Sequence, residues 1–426
     1  MTVTAASTVQ LYPLLFSEAE AGNWIVGRID DGEFAEIPAE AVTFLRALAE
    51  SGEVADAHAR VLARHGEDID AEDFVDTLID LGFVAALDGR PLGSPPRPPS
   101  LRWLRPAYVR WVFRWPVLAC VYAFIVAGLA AGIARGELIP GYRAYFITDS
   151  QSANLAWNTA MVLAVVAVHE FWHLAAARAE GVYVRIGLGT RMQFLAAQTT
   201  ATGLWAAPRR VRLRFYLAGV TSDLTIVSAC SLIISVFAPS GLAVRAIQAL
   251  ILSLLLGVAE EFALYMRTDM YFVLQDLLRC RNLYGDAVGY VGYLTGRAAA
   301  AVFRHQPPPD PTTGISHHER VRVRGYSGLM VLGSCAGLIV FFLYTGPILV
   351  TLFYRAGQHV VHGLITGNLP QVADGLGVFA VEGTLQIIFL RLFLAKHAAK
   401  LRRTYLFVRT KVLSARVPAG GGDPGA

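Results

Sequence analysis

The sequence predicts a mostly α-helical polytopic membrane protein with a small α+β domain at its N-terminus. The chain has 426 residues, of which 54% are hydrophobic and only 16% charged, and this composition is typical of several membrane spans. Residues 1–90 hold 18 Asp/Glu and 5 Arg, whereas Lys and Arg dominate the remainder. We therefore expect an acidic soluble domain, residues 1–88, on a membrane body with basic loops. Those basic residues indicate topology, and no nucleic-acid partner is expected.

The acidic domain is predicted to contain two strands, three helices and a closing strand. Its strands flank an Asp-Asp-Gly turn, and its helices show apolar residues on one face. Asp70 is expected to cap the third helix, because Asp73 follows three residues later and an apolar stripe comes next. The predicted elements are strands 24–29 and 34–37, helices 38–51, 53–65 and one beginning after Asp70, and a strand at 84–87.

This order of elements resembles the PqqD-like peptide-recognition domain. The matching stretches are EIPAEAVTFLRAL and HARVLARHGEDIDAEDFVDTLIDLGFV, within residues 24–88. The resemblance implies a winged-helix-like domain that binds the leader of a ribosomally made, post-translationally modified peptide. The alternative is an unrelated small acidic regulatory domain.

Six membrane spans are predicted after a proline-rich linker at residues 89–101. Arginine clusters precede or follow these spans, and the positive-inside rule then places both termini in the cytoplasm of a multi-pass cell-membrane protein. The stretch 181–207 is rich in Gly and alternates in polarity, so a β-ribbon is expected there. The predicted spans are 115–134, 154–177, 215–237, 242–259, 327–354 and 376–395.

The second predicted span contains the pattern HExxH at His169, Glu170 and His173. Histidines four residues apart lie on the same face of a helix, so both imidazoles can reach one Zn²⁺ at about 2.0–2.1 Å, with room for a third ligand and a water. Glu170 would lie beside the metal and accept a proton from an attacking water. The alternative is that neighbouring helices satisfy these three side chains, but ionisable groups at membrane depth indicate function.

The third ligand is expected near the end of the second span. Asp269 is the main candidate because it follows the fourth span, which returns to that side of the membrane, and Glu260 and Glu261 are rival ligands. Asp223 and Glu382 also lie within predicted spans. For these two we expect hydrogen bonds between helices rather than catalysis.

The order of these motifs resembles the site-2-protease-like family of membrane-embedded zinc metalloproteases, in the branch that accompanies ribosomal peptide natural products. HExxH is followed by Leu217-Ala218-Gly219 and then by Asp269-Met270-Tyr271. The resemblance covers about residues 110–300 and implies that Asp269 completes a His-His-Asp zinc site. The family has Gly where Met270 stands, and an Asn-Pro pair that this chain lacks. Both departures put the geometry of the substrate pocket in doubt more than metal binding.

The resemblance implies an intramembrane zinc endopeptidase that removes the leader from a precursor peptide. Its expected partners are that leader, membrane lipid, peptide-modifying enzymes and an exporter. The alternatives are regulated cleavage of a membrane-anchored regulator and a non-catalytic peptide transporter or immunity protein with a structural zinc. An intact Glu170 argues against a structural zinc. Beyond the core, the sequence divides into a cytoplasmic linker, a transmembrane pair and a flexible tail, at 301–325, 326–412 and 413–426.

Overall fold

An N-terminal α+β domain precedes a body made mostly of long helices in the computed structural model. Five helical segments are long and apolar enough to cross a membrane, judged by length and composition. The coarse prediction of a helical membrane protein with a small N-terminal domain is therefore confirmed. The structure describes residues 3–18, 23–28, 34–66, 68–92, 100–101, 103–182, 184–191, 194–200, 204, 207–280, 282–304 and 306–414.

The N-terminal domain contains two small antiparallel sheets and three helices around one apolar core. Strands β2, β3 and β4 form one sheet in that order, and β1, β5 and β6 form the other. Phe44, Leu45 and Leu48 of the first helix are fully buried between these layers. The elements are β1 Val9–Leu11, β2 Leu14–Glu18, β3 Trp24–Arg28, β4 Phe34–Ile37, α1 Ala39–Ser51, α2 Val54–His65, α3 Ala71–Asp80, β5 Val84–Leu87 and β6 Arg90–Pro91.

Every element predicted for this domain is present, and three strands were not predicted. Asp70 caps α3 as expected, since its Oδ1 accepts a hydrogen bond from the backbone N–H of Asp73 at 3.0 Å. Strands β1 and β2 occupy a short apolar stretch that has too few residues to reveal an alternating pattern. Strand β6 lies at the start of the predicted proline-rich linker and pairs with β5.

The membrane body begins with a short helix and continues through nine longer ones. A π-helical turn at Phe341–Thr345 joins two of them into one helical segment, His317–Thr366. The helices are α4 Pro106–Val109, α5 Trp115–Arg135, α6 Gln151–Ala179, α7 Arg209–Phe237, α8 Leu242–Glu261, α9 Asp269–Leu278, α10 Leu283–Phe303, α11 His317–Val340, α12 Gly346–Thr366 and α13 Leu369–Ser414. The five candidate spans are α5, α6, α7, α8 and the joined segment α11–α12.

The first four spans lie where the sequence predicts them, and the last two differ. The predicted fifth span, 327–354, is only the middle of a 50-residue helical segment. This segment begins inside the predicted linker 301–325, because the Ser316 hydroxyl caps α11 by accepting from the Glu319 N–H at 3.3 Å. The predicted sixth span, 376–395, lies within α13. Among the described residues α13 is not one of the five candidates, so a sixth crossing stays a prediction.

Helix α7 is the central element of the body and packs between α5 and α6. Half of the most apolar 18-residue stretch of α7 is buried, a larger share than in any other candidate span of the described chain. Its contact with α5 requires small residues, since a Cβ at Gly128 would lie 2.4 Å from the Ser228 Cβ. Close approach of small residues is a common way to pack membrane helices.

The β-ribbon expected after the second span is present. Strand β7, Arg185–Arg191, pairs antiparallel with β8, Phe194–Thr200. The hairpin follows the C-terminal end of α6 and contacts that helix through both strands. It is therefore attached to the helix that carries HExxH.

Candidate metal centre

Three side chains from two helices converge on one point beside α6. The Nε2 atoms of His169 and His173 are 3.1 Å apart, as expected for imidazoles one turn apart on the same helix face. Asp269 is the first residue of α9, and its Oδ2 lies 2.7 Å from the His173 Nε2 and 3.4 Å from the His169 Nε2. Among the described residues, these three form the one group of His, Cys, Asp and Glu side chains placed to hold a metal ion.

The donor set and its spacing fit a tetrahedral zinc ion. Ligand atoms at about 2.0–2.1 Å from such an ion are about 3.3–3.4 Å apart. Two of the three distances between donors, 3.1 and 3.4 Å, are close to this separation, and the third, 2.7 Å, is shorter. Two imidazoles and one carboxylate also leave the fourth position open, as in catalytic rather than structural zinc sites.

The second nitrogen of each imidazole has its own hydrogen-bond partner. The His173 Nδ1 lies 2.7 Å from the backbone carbonyl of Phe215. A carbonyl oxygen only accepts hydrogen bonds, so Nδ1 carries the proton. The lone pair of Nε2 is then free to bind a metal ion at the point shared with His169 and Asp269. The His169 Nδ1 lies 2.8 Å from the Asp223 Oδ2, which orients this ring in the same way. Such outer partners fix the tautomer and direction of a metal ligand.

Asp223 therefore has a role that the sequence did not reveal. The expected hydrogen bond between helices is present, and its partner is His169, one of the three residues of the candidate metal group. The carboxylate is 3% exposed, on the face of α7 that packs against α6. The sequence feature that could have indicated this role is the position of Asp223, an acidic residue inside an apolar span, four residues after Gly219 and on the same helix face.

Gly219 makes room for the His169 ring. A Cβ at this position would lie 2.2 Å from the His169 Nε2 and 2.4 Å from its Cε1. This is the glycine of the predicted Leu-Ala-Gly motif, so that motif has a direct steric meaning here. The backbone of α7 forms the surface against which the imidazole rests.

Asp269 is held in place by the turn between α8 and α9. Glu261, which is 4% exposed, accepts a hydrogen bond from the Asp269 backbone N–H through its Oε2 at 2.8 Å. The Thr268 hydroxyl donates to the Glu261 carbonyl at 2.6 Å. The rival ligand Glu261 is thus bonded to the backbone that carries Asp269, and neither it nor the exposed Glu260 belongs to the converging group.

A salt bridge about two turns further along α9 fixes this helix to α7. The Arg212 Nε donates to the Asp276 Oδ2 at 2.7 Å. Both side chains are less than a quarter exposed, so the pair is shielded more than a surface ion pair. Helices α7 and α9 are therefore tied to each other about two turns of α9 away from Asp269.

The site is shielded but remains accessible from one side. The His173 side chain is 3% exposed, whereas those of His169 and Asp269 are 13% and 17% exposed. Glu170 follows His169 on α6 and is half-buried. Its neighbours Val168 and Phe171 are exposed, but they lie on the side of α6 that faces away from the two histidines. The donors are therefore reached from the side on which His169 and Asp269 are partly exposed.

Replacing Gly219 with Ala is expected to weaken zinc binding by about 10–100-fold, the usual cost of losing an outer-sphere support. The added methyl overlaps the His169 ring and forces the imidazole away from Asp269. Zinc affinity can be measured by competition with a fluorescent chelator. Gly257→Ala on α8 is the matched control, because nothing lies within 4 Å of its added Cβ. Unchanged affinity in Gly219→Ala would show that the ring does not need this position.

Comparison of the chain with protein-family models, with curated proteins and with solved structures finds no match in any of the three. The features of the described residues that bear on function are therefore the three converging donors, the two oriented imidazoles and the glutamate next to them.

Proposed function

We propose that this chain is a membrane-embedded zinc endopeptidase, with His169, His173 and Asp269 as metal ligands and Glu170 as the proton-transfer group. The single observation that carries the proposal is the convergence of Asp269 on the two histidines of HExxH. A structural zinc would take four protein ligands. Here three donors and a neighbouring glutamate suit an open catalytic site better.

Each residue then has a distinct task in hydrolysis of a peptide bond. A bound Zn²⁺ supplies Lewis-acid polarisation of the scissile carbonyl and makes a nearby water easier to deprotonate. Glu170 accepts a proton from the water as its oxygen attacks the carbonyl carbon. When the carbon–nitrogen bond breaks, Glu170 returns that proton to the leaving amine. Asp223 and the Phe215 carbonyl keep the ligand imidazoles oriented throughout.

The substrate is proposed to enter as an extended peptide. A helical peptide uses its carbonyl oxygens in its own hydrogen bonds, so it has to unwind before cleavage. The hairpin β7–β8 has two strands, and among the described residues each pairs only with the other. Each strand therefore has an outer edge that can accept a further strand, and β8 contacts α6.

Removal and return of the metal test the proposal. Purified chain in detergent is expected to cleave a leader-bearing precursor peptide, to stop after treatment with a chelator, and to recover when Zn²⁺ is added back. Mass spectrometry of the products gives the cleaved bond and the rate. Cleavage that persists after the zinc content has fallen below about one tenth of the protein concentration would contradict a zinc-dependent reaction.

We further propose that the N-terminal domain binds the leader of a ribosomally made peptide. A leader in extended form could add to the sheet that contains β3 and β4, but β3 is paired on both sides. Strand addition is therefore limited to the outer edges of β2 and β4. A cleft of about 770 Å³ lies next to β2, lined in part by Leu14, Phe16 and the end of α1 at Leu48. These side chains offer apolar contacts to an added strand.

The linker between the N-terminal domain and the membrane body ends close to α6, the helix that carries HExxH. The Ser100 N–H donates to the Val184 carbonyl at 3.2 Å, and the Arg178 guanidinium donates to the Ser100 carbonyl at 2.9 Å. Arg178 belongs to the last turn of α6, and Val184 immediately precedes the hairpin. A leader held by the N-terminal domain is thus tethered near the site, which raises its effective concentration there.

Deletion of residues 1–90 is expected to raise KM for the full precursor while leaving kcat nearly unchanged. Binding of the leader by the tethered domain helps the precursor to bind but does not change the chemical step. Its loss removes binding energy that is the same in the ground state and in the transition state, so KM rises and kcat does not fall. The matched control is a precursor without its leader, which both forms should cleave equally poorly at low concentration. If the deletion leaves KM for the full precursor unaltered, the domain has no role in recognition, although the protease proposal stands.

The proposed topology follows from the basic residues. Four of the candidate spans, α5 to α8, would form two up-and-down pairs, and α11–α12 with α13 would form a third. An even number of crossings puts both termini on one side. The arginines around the first span favour the cytoplasm for that side, and the zinc site then lies in the cytoplasmic half of α6.

A further inference from the structure

Residues 103–116, which connect the linker to α5, form an aromatic and basic collar. Four of its aromatic side chains, Trp103, Tyr108, Trp111 and Trp115, are between 58% and 71% exposed. Arginines alternate with them along the segment. Exposed Trp and Tyr next to a span are typical of the membrane–water interface, where amphipathic rings contact headgroups.

The collar is packed on the catalytic helix. Leu104, Val109 and Phe113 are buried against the C-terminal part of α6. The Phe113 ring meets the Trp172 ring edge-on, with centroids 5.9 Å apart. The Arg110 Nε donates to the Ala179 carbonyl at 3.1 Å, at the end of α6. The segment is therefore a fixed part of the body.

A cavity of about 400 Å³ opens between this collar and the ends of three helices. It is lined by three arginines, one glutamate and the start of α5, namely Arg110, Phe113, Arg114, Trp115, Pro116, Glu180 and Arg214. Glu180 pairs with Arg214 at 3.0 Å, so the wall carries a net charge of about +2 at neutral pH. Among the described residues, the Arg114 side chain makes no hydrogen bond of its own.

We propose that this cavity binds the headgroup of an anionic phospholipid. A phosphodiester fits the guanidinium groups of Arg114 and Arg214, which can each donate two parallel hydrogen bonds to phosphate oxygens. Basic cavities between membrane helices on one side of the bilayer are suited to such headgroups. The acyl chains then run along the exposed apolar side of α5, beside Trp115 and Val126. This inference rests on membrane insertion of α5 and not on the protease activity.

The proposed lipid cavity shares residues with the contact to the half of α6 that holds His169 and His173. Arg110 contacts both the cavity and the last carbonyls of α6, and Phe113 contacts both the cavity and Trp172. A headgroup bound there shields the arginines from one another and holds the collar against the helix. Anionic lipid is therefore expected to raise the thermal stability of the full-length protein more than zwitterionic lipid does.

Titration of the purified full-length chain in detergent tests the proposal. Phosphatidylglycerol is added alone, and then together with phosphatidylcholine or with inorganic phosphate, and bound lipid is counted by native mass spectrometry. We expect phosphatidylglycerol to bind and phosphatidylcholine not to compete with it. Arg114→Gln should weaken phosphatidylglycerol about fivefold, and Arg114→Gln with Arg214→Gln about 25-fold, from about 1 kcal/mol per arginine. Arg105→Gln is the matched control, since Arg105 is exposed on the same collar but outside the cavity.

Each other outcome overturns the proposal. Equal loss in Arg105→Gln would mean that the positive charge acts diffusely and that no site exists. Displacement of the lipid by inorganic phosphate would indicate a site for free anions. If the double variant is unstable because Glu180 loses its partner, Arg114→Gln alone decides, and unchanged lipid affinity in that variant refutes the site. Zinc content and helical circular dichroism confirm that each variant is folded.

Discussion

Replacing Glu170 with Gln is expected to lower peptide cleavage by at least about 10²–10⁴-fold, the usual effect of losing a general base. The amide has the shape of the carboxylate but cannot accept the proton of the attacking water. Glu170 is not one of the three converging donors, so the variant should keep its zinc and its fold. Single-turnover cleavage of a precursor and zinc analysis of the same preparation give both quantities.

Glu260→Gln is the matched control for this experiment. Glu260 is exposed near the end of α8 and stands outside the donor group, so the same chemical change should leave cleavage nearly unaltered. Unchanged product formation in Glu170→Gln would mean that this residue does not move the proton. A non-catalytic peptide transporter or immunity protein would then become the better explanation of the site.

Loss of any one of the three ligands is expected to remove the metal. Asp269→Ala and His173→Ala should each weaken zinc binding by more than the about 10–100-fold that loss of an outer partner costs. The full-length protein should carry about one zinc per chain, because one group of three donors is present in the described residues. Elemental analysis after dialysis against a weak chelator separates these cases.

Glu261→Gln distinguishes a ligand from a residue that supports one. The amide oxygen can still accept from the Asp269 N–H, as the carboxylate does at 2.8 Å, so most of the zinc should remain. Retention of zinc in Asp269→Ala together with its loss in Glu261→Gln would show that Glu261, and not Asp269, is the third ligand. Full occupancy in His169→Ala and His173→Ala would remove the metal assignment altogether.

The parts of the site that the sequence predicts are those encoded by local periodicity or by a short motif. A spacing of four residues puts His169 and His173 on one face of any helix, and in the structure their Nε2 atoms are 3.1 Å apart. Asp269 and Gly219 came from the order of motifs. The roles of Asp223 and Glu261 could not be predicted, because they depend on how α7 rotates against α6 and on the turn that follows α8.

The same distinction applies to the fold. Hydropathy locates an apolar stretch, and it therefore found the first four spans. It does not locate the ends of a helix, which depend on caps and breakers. The fifth span was predicted to begin at 327, yet the Ser316 cap starts its helix earlier, and the helix continues to Gly367, whose φ is 69°. In the N-terminal domain, β1 and β2 are recognisable only from the strands that they pair with.

The separation of the ligands along the chain has a consequence for how the protein is made. His169 and Asp269 are 100 residues apart, and the hairpin α7–α8 lies between them. At about 5–20 residues per second, the ribosome completes Asp269 about 5–20 s after the histidine pair. During the first part of that interval α6 has its two histidines but neither the Asp269 carboxylate nor the Asp223 contact. The complete group of three donors therefore exists only after α7 and α8 have been made and packed, and we expect the proposed metal binding and activity to begin no earlier than that.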